Sequence, residues 1–190
     1  MGKVIVLISV TPDGFADAQN VMVDPEFFEF TLALMSVADA AAFGRHTFEM
    51  FQERWPQRLL DENTLDWVRN MAQALNDIPK VVFSSTLEQT SWANSAISKQ
   101  LNAEYIDDFK SLHRGALLTF GSLSLVEQLT KMNLVDDYYF NIQPILPGKG
   151  DARFFSRFNL DVTRPLKFVE SIPLASGALI LHYQNTAATL

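Results

Sequence analysis

Four short runs, Lys3–Val10, residues 40–43, Lys80–Phe83 and Ala116–Phe120, are apolar at almost every position instead of at every second one. A strand with one face in water alternates apolar and polar side chains. Continuous apolar strands instead suit a sheet covered on both faces, which is the habit of parallel strands. Parallel strands need long crossovers, and helical patterns lie between the runs. Asp24 as cap and Pro25 at the first helical position open one of them, which carries Phe27, Phe28, Phe30, Leu34 and Met35 toward Val37. A second begins at Gly44, and a third covers 65–75 and stops before Pro79. A fourth is short, over 105–112, and the fifth, 122–132, repeats Leu125, Val126, Leu129 and Met132 at helical spacing. Residues 92–100 are ambiguous and fit a short strand within a loop.

Toward the end of the chain, Tyr138, Phe140 and Ile142 alternate with Tyr139, Asn141 and Gln143, the two-residue period of a strand. Residues 144–165 hold Gly148, Lys149 and Gly150 with little periodicity, and so long a loop in a compact domain is more often functional than idle. Two last strands, 166–172 and 178–183, flank a turn containing Pro173 and Gly177 and read as a hairpin. The expectation is a three-layer α/β fold. A mostly parallel central sheet ends in an antiparallel C-terminal hairpin, within one domain over residues 1–185 and with a frayed tail at 186–190.

Composition narrows the functions open to such a fold. The 190 residues include no cysteine, which removes disulfides, thiolate zinc sites and thiol nucleophiles. The three histidines, His46, His113 and His182, lack metal-type spacing, so no structural metal is expected. A net charge of −7 argues against nucleic acid as a partner, because such binders depend on clustered Lys and Arg, and any basic site must be local. The apolar run at the N-terminus is too short for a signal peptide or a membrane span, so no membrane partner and a cytoplasmic address are expected.

One local basic site is legible. Gly44, Arg45, His46 and Thr47 follow the apolar run at 40–43 and open a helix. The first helical turn has unpaired backbone N–H groups and a partial positive charge, so stability alone favours acids there. Arg45 and His46 make sense if an anion binds, with the Arg45 fork and the Thr47 hydroxyl beside the helix amides. Gly121 and Ser122 open a second helix after an apolar strand, with glycine permitting close approach and serine able to cap or to donate. Ser84, Ser85 and Thr86 end a third strand. Ligands of open α/β sheets sit beyond the carboxyl ends of the strands, where Gly44, Ser84 and Gly121 all fall.

Taken in order, the segments TPDGFAD, FGRHTFE, VVFSST, TFGSLSLVEQL and LVDDYYFNIQPILPGKGDARFF, with the terminal hairpin, resemble the dihydrofolate reductase-like superfamily. Within it they resemble the riboflavin-biosynthesis reductase domain, the RibD C-terminal domain, which forms half of a bifunctional deaminase-reductase. The resemblance implies NADPH as cofactor. It places Gly44, Arg45, His46 and Thr47 near the pyrophosphate and the 2′-phosphate, Ser84 and Ser85 at the adenosine side, and Gly121, Ser122 and Leu123 at the pyrophosphate. Relatives more often have a second glycine where Ser122 stands, and hydroxyl donation can compensate. Because the deaminase half needs cysteine ligands, the resemblance implies a stand-alone reductase.

Folate reductases of this superfamily place an acid on the helix before the GRHT turn, and the matching position here is Phe28, between Glu26 and Glu29. Asp13 in the TPDGF turn and Glu29 are the catalytic candidates, and Lys149 and Arg153 are candidates to meet an anionic substrate. The expected function is NADPH-dependent reduction of a small heterocycle, similar to 5-amino-6-(5-phosphoribosylamino)uracil reductase. The alternatives are a reductase acting on a pterin and a non-catalytic nucleotide-binding module. Relatives commonly pair, and an exposed aromatic strand at 138–140 would serve a homodimer.

Overall fold

The computed structural model describes residues 1–154 and 160–186. Along the chain its elements are β1 (Lys3–Val10), α1 (Pro25–Ser36), β2 (Ala38–Gly44), α2 (Arg45–Leu60), α3 (Asp66–Asp77), β3 (Lys80–Phe83), β4 (Ser95–Ser98) and α4 (Ala103–Leu112). They continue with β5 (Ala116–Phe120), α5 (Leu123–Lys131), β6 (Asp137–Ile142), β7 (Leu166–Pro173) and β8 (Leu179–Asn185). Among the described residues the strands form one sheet in the order β4-β3-β2-β5-β1-β6-β8-β7. It is parallel from β4 to β6 and antiparallel through β8 to β7. This is the fold class that the apolar runs predict.

The period-2 geometry of β1 explains the layers. Ile5 and Leu7 point into a core shared with Phe27, Phe28 and Met35 of α1, Phe48 of α2, and Met71 and Leu75 of α3. Val4, Val6 and Ile8 point the other way, onto Ile106 and Phe109 of α4 and Leu125, Val126 and Leu129 of α5. β1 lies between β5 and β6 and has no solvated face, so it needs no polar alternation. Each fully buried Leu, Ile, Val or Phe contributes about 1.5–3 kcal/mol relative to an exposed one, enough to fix which face each strand residue takes.

The ambiguous segment 92–100 supplies β4, an edge strand parallel to β3. Lys80, at the start of β3, is buried, and its ammonium donates to the carbonyl oxygens of Leu75 (2.8 Å), Asn76 (3.1 Å) and Ile78 (2.8 Å). It thereby closes the end of α3. Burial pushes the Lys80 pKa down to about 8, against the nearby Asp77 carboxylate, which raises it.

The structure corrects two expectations near the C-terminus. β6 is not an exposed strand: it is hydrogen-bonded to β1 on one side and β8 on the other, and Tyr138 is buried. At this end of the sheet the edge strand is β7, with Leu166, Phe168 and Val169 open to solvent. Pro173 belongs to β7, and the turn is closed by Leu174 N–H on Ala178 O and by Gly177, whose φ of 86° favours glycine. Of the tail expected to fray, residues 187–190 lie outside the described residues.

Candidate active site

A cleft of about 1260 Å³ opens at the carboxyl ends of β1, β2, β3 and β5. Its walls bring together Gly44, Arg45, His46, Thr47, Ser84, Ser85, Gly121, Ser122 and Leu123, every residue expected to hold the cofactor. They come from three strand ends separated by up to 78 residues, so the sheet order is what assembles them.

Two helix beginnings meet here. Neither α2 nor α5 has a side-chain cap or an acid in its first turn. Their free N–H groups leave a positive end exposed to the cleft. The Ser122 side chain does not cap its own helix. Its Oγ accepts the Gly44 N–H at 2.8 Å, tying the start of α5 to the start of α2. With that oxygen engaged as acceptor, the Ser122 proton is available to donate elsewhere. A Cβ at Gly44 would press on Ser122 at 3.3 Å, so glycine permits this approach. Gly121 and Ser122 both have left-handed backbones, with φ of 59° and 60°. The strain on a non-glycine residue there is about 1–2 kcal/mol, and the Gly121 N–H is donated to Leu7 O at 2.8 Å, which fixes the turn to β1.

Arg45 is already oriented. Its Nε donates to Glu49 Oε1 (2.7 Å) and an Nη to Thr86 Oγ1 (2.9 Å), which holds the guanidinium beside the hydroxyl turn after β3. Ser84 Oγ accepts the N–H groups of Thr86 (3.2 Å) and Leu87 (2.9 Å) and shapes that turn. Lys99 also lines this end, its Nζ donating to Leu87 O at 2.7 Å. It sits just past β4, in the segment whose periodicity was ambiguous, and only the β3–β4 pairing brings it here.

The other end of the cleft is aromatic. Phe27, Phe28, Phe51, Trp55, Trp67 and Phe120 line it, with the Phe28 ring 5.8 Å from Trp55 and 5.1 Å from Trp67. Arg54 and Arg58, one helical turn apart on α2, line the mouth. Their signal in the sequence is the interleaved i, i+4 pairs Phe51/Trp55 and Arg54/Arg58.

The catalytic candidates are elsewhere. Phe28 is buried, so Glu29, about 100° further round α1, is exposed and does not line the cleft. Glu26 is exposed and accepts the Ala175 N–H at 2.6 Å, tying α1 to the β7–β8 turn. Asp13 is likewise outside the lining: its carboxylate accepts Thr11 Oγ1–H (2.6 Å) and Gly148 N–H (3.0 Å). The Thr11 hydrogen bond leads in holding its pKa below the usual carboxylate value. Lys149 and Arg153 do not line the cleft either, and the Arg153 guanidinium lies 4.5 Å over the Phe15 ring.

These residues build a strap instead. Asp13 binds Gly148, Phe15 bridges Arg153, and Ala16 N–H donates to Ala152 O at 2.7 Å, so the turn after β1 is zipped to the long loop. Asp17 completes the zip: Oδ1 accepts the N–H groups of Asp151 (3.0 Å) and Ala152 (3.2 Å). Unlike Asp13, Asp17 is buried and lines the cleft. It stands in the TPDGFAD segment, but nothing local distinguishes it from another loop aspartate.

The family described as RibD C-terminal domain matches residues 2–180. The Bacillus subtilis (strain 168) protein YyaP, itself uncharacterized, is 26% identical over 191 residues, covering 95% of this chain and 94% of its own. A Shewanella sp. PV-4 protein provisionally named for riboflavin biosynthesis superposes with a TM-score of 0.70 at 18% identity, over 98% of this chain and 99% of that one. The Enterococcus faecalis dihydrofolate reductase, solved with NADP(H), gives 0.64 at 14% identity over 97% of both chains. The Thermotoga maritima diaminohydroxyphosphoribosylaminopyrimidine deaminase/5-amino-6-(5-phosphoribosylamino)uracil reductase gives 0.65 at 15% identity, over 97% of this chain and 56% of that one.

Proposed function

The chain belongs to the RibD C-terminal domain family, and from that membership we propose that it is an NADPH-dependent reductase of a small heterocycle, similar in type to 5-amino-6-(5-phosphoribosylamino)uracil reductase. The observation that carries the cofactor is the pair of uncapped helix starts joined at Gly44 and Ser122, with Arg45 beside them. Free amides, a hydroxyl and a fixed guanidinium suit phosphate oxygens. A folate reductase of the same fold, solved with NADP(H), supports the reading.

In this proposal Gly44, Thr47, Gly121, Ser122 and Leu123 hold the pyrophosphate, while Arg45, His46, Ser84 and Ser85 take the adenosine side and its 2′-phosphate, with Lys99 adding charge there. When bound, the reduced nicotinamide supplies the hydride. The chain's own contribution is position and exclusion of water: the strap closes one wall, and the aromatic end receives a flat, apolar substrate ring. Dihydrofolate is disfavoured as that substrate, because Phe28 cannot accept hydrogen bonds from a pterin or support its protonation.

The test is a fluorescence titration with NADPH and NADH. Charge-assisted bonds of about 1.5–3 kcal/mol to the extra phosphate give NADPH a roughly tenfold to hundredfold advantage. Equal affinities would overturn the assignment.

A further inference from the structure

The amino ends of the parallel strands, at the far end of the sheet from the cleft, hold a second cavity of about 290 Å³. Asp137 of β6 and His182 of β8 line it, and both are buried, at 4% and 7% exposure. Asp137 Oδ2 accepts the Lys3 ammonium at 3.1 Å, and Oδ1 lies 2.8 Å from His182 Nε2. An ionised carboxylate only accepts, so Nε2 carries the imidazole proton and Nδ1 is left as an acceptor. Nδ1 is buried and has no hydrogen-bond partner among the described residues. Glu170 Oε1 stands 3.7 Å from it. Two acceptors cannot bond to each other, which accounts for a separation beyond hydrogen-bond range.

The groups around His182 come from every neighbouring element. β1 supplies Lys3, already paired with Asp137, and β6 supplies Asp137 and Tyr139. β7 supplies Glu170, opposite His182 in register, and the exposed Lys167, opposite Gln184. Arg114, exposed ahead of β5, lines the cavity, and the α1 side contributes only the apolar Leu34 and Val37. The Tyr139 ring stacks on the imidazole with centroids 4.1 Å apart. Burial first, then the Asp137 and Glu170 carboxylates, push the Tyr139 hydroxyl up to about 12, so it stays neutral where histidines titrate. The imidazole therefore sits between two carboxylates with one ammonium already committed. A proton on Nδ1 would balance that charge and turn the opposed acceptors into a charge-assisted hydrogen bond.

We propose that His182 is a pH-operated latch between β8 and the edge strand β7: protonation at Nδ1 joins it to Glu170, and loss of that proton frees Glu170. The ladder between β7 and β8 shifts register between Phe168 and Glu170, so the latch acts where strand pairing is interrupted. The bond needs an imidazolium and an ionised glutamate. Its contribution to stability is therefore present at about pH 5–6 and lost as pH rises toward about 8. The latch lies at the opposite end of the sheet from the cofactor cleft and does not depend on the reductase reading.

The test compares melting temperatures of the wild type, Glu170→Gln and Glu88→Gln at about pH 5.5 and about pH 8. The Glu170 side chain is 55% exposed, so Glu170→Gln removes its charge without opening the core. At the acid pH the wild type should melt about 1–3 °C above Glu170→Gln. At the alkaline pH that advantage should vanish or reverse, because the introduced amide can donate to the neutral Nδ1. Glu88→Gln, at another exposed glutamate, should run parallel to the wild type at both. Side-chain nitrogen NMR of the wild type should show His182 protonated at Nε2 alone at the alkaline pH and at both nitrogens at the acid pH. A wild type and Glu170→Gln that differ equally at both pH values would overturn the proposal. So would a His182 that carries its single proton on Nδ1, a result read on the wild type without any variant.

Discussion

The starts of α1 and α4 and the starts of α2 and α5 are made by opposite rules. Asp24 accepts the Phe27 N–H at 2.8 Å and Asn102 the Tyr105 N–H at 2.9 Å, and each helix has a glutamate, Glu26 or Glu104, in its first turn. Even α3, which has no side-chain cap, carries Asp66 there. These ends are satisfied from within the chain, as stability requires. α2 and α5 have glycine or a left-handed serine at the cap, no acid, and in α2 two basic residues where the dipole disfavours them. A chain with a net charge of −7 has acids to spare for those positions, and they are absent. The difference separates helix ends closed by the chain's own side chains from helix ends whose unpaired N–H groups would suit an anionic ligand.

Substitutions on the two sides should therefore read out differently. The largest effect is expected at the open end. Arg45→Ala should weaken NADPH by about tenfold to a hundredfold and NADH much less. The free protein should melt almost unchanged, because the Glu49 and Thr86 partners are on the surface. An equal loss for both cofactors would move Arg45 to the pyrophosphate and blur the contrast with a structural end.

At a closed end the signs reverse. Asp24→Ala should cost about 1 kcal/mol of unfolding free energy in urea, the usual value of a helix cap, with no change in NADPH affinity. A loss of NADPH binding in that variant would mean that α1 also serves the cofactor.

A third contrast concerns the C-terminal end of α3, which Lys80 closes. Its folded pKa of about 8 is below the unfolded value of 10.5, so between those pH values the unfolded chain binds the proton more tightly. Stability should rise as pH climbs from about 8 toward 10.5, because the cost of the buried ammonium is present in full below that window and relieved above it. Wild type and Lys80→Met compared by thermal melts across that window should differ in slope. Parallel curves would show that the three carbonyl acceptors fully compensate the burial.

Some of this was legible before any tertiary contact was known. The apolar runs of β1, β2, β3 and β5 announce parallel strands, and α1 is announced by Asp24 and Pro25, because both signals are carried by neighbouring residues. Gly44 to Thr47 could be singled out for the same reason: the helix dipole makes basic residues at a helix start anomalous on their own. Glu29 and Asp13 were less well served. Both are acids in suggestive segments, but the rotation of α1 about its axis and the docking of one loop on another decide which carboxylates reach the cleft. The buried Phe28 leaves Glu29 in solvent, and Gly148 takes Asp13.

The chain's local patterns thus determined the elements, the fold class and the polarity of the helix ends, since propensity, capping and burial periodicity act over a few residues. Only the tertiary structure decided that Ser122 would clasp Gly44 from 78 positions away, that Lys99 would reach Leu87 in the turn after β3, and that Asp17 would be buried at the cleft wall. Those outcomes depend on strand order and loop docking, which are settled by the summed burial of two core layers, and no single stretch of sequence carries that sum.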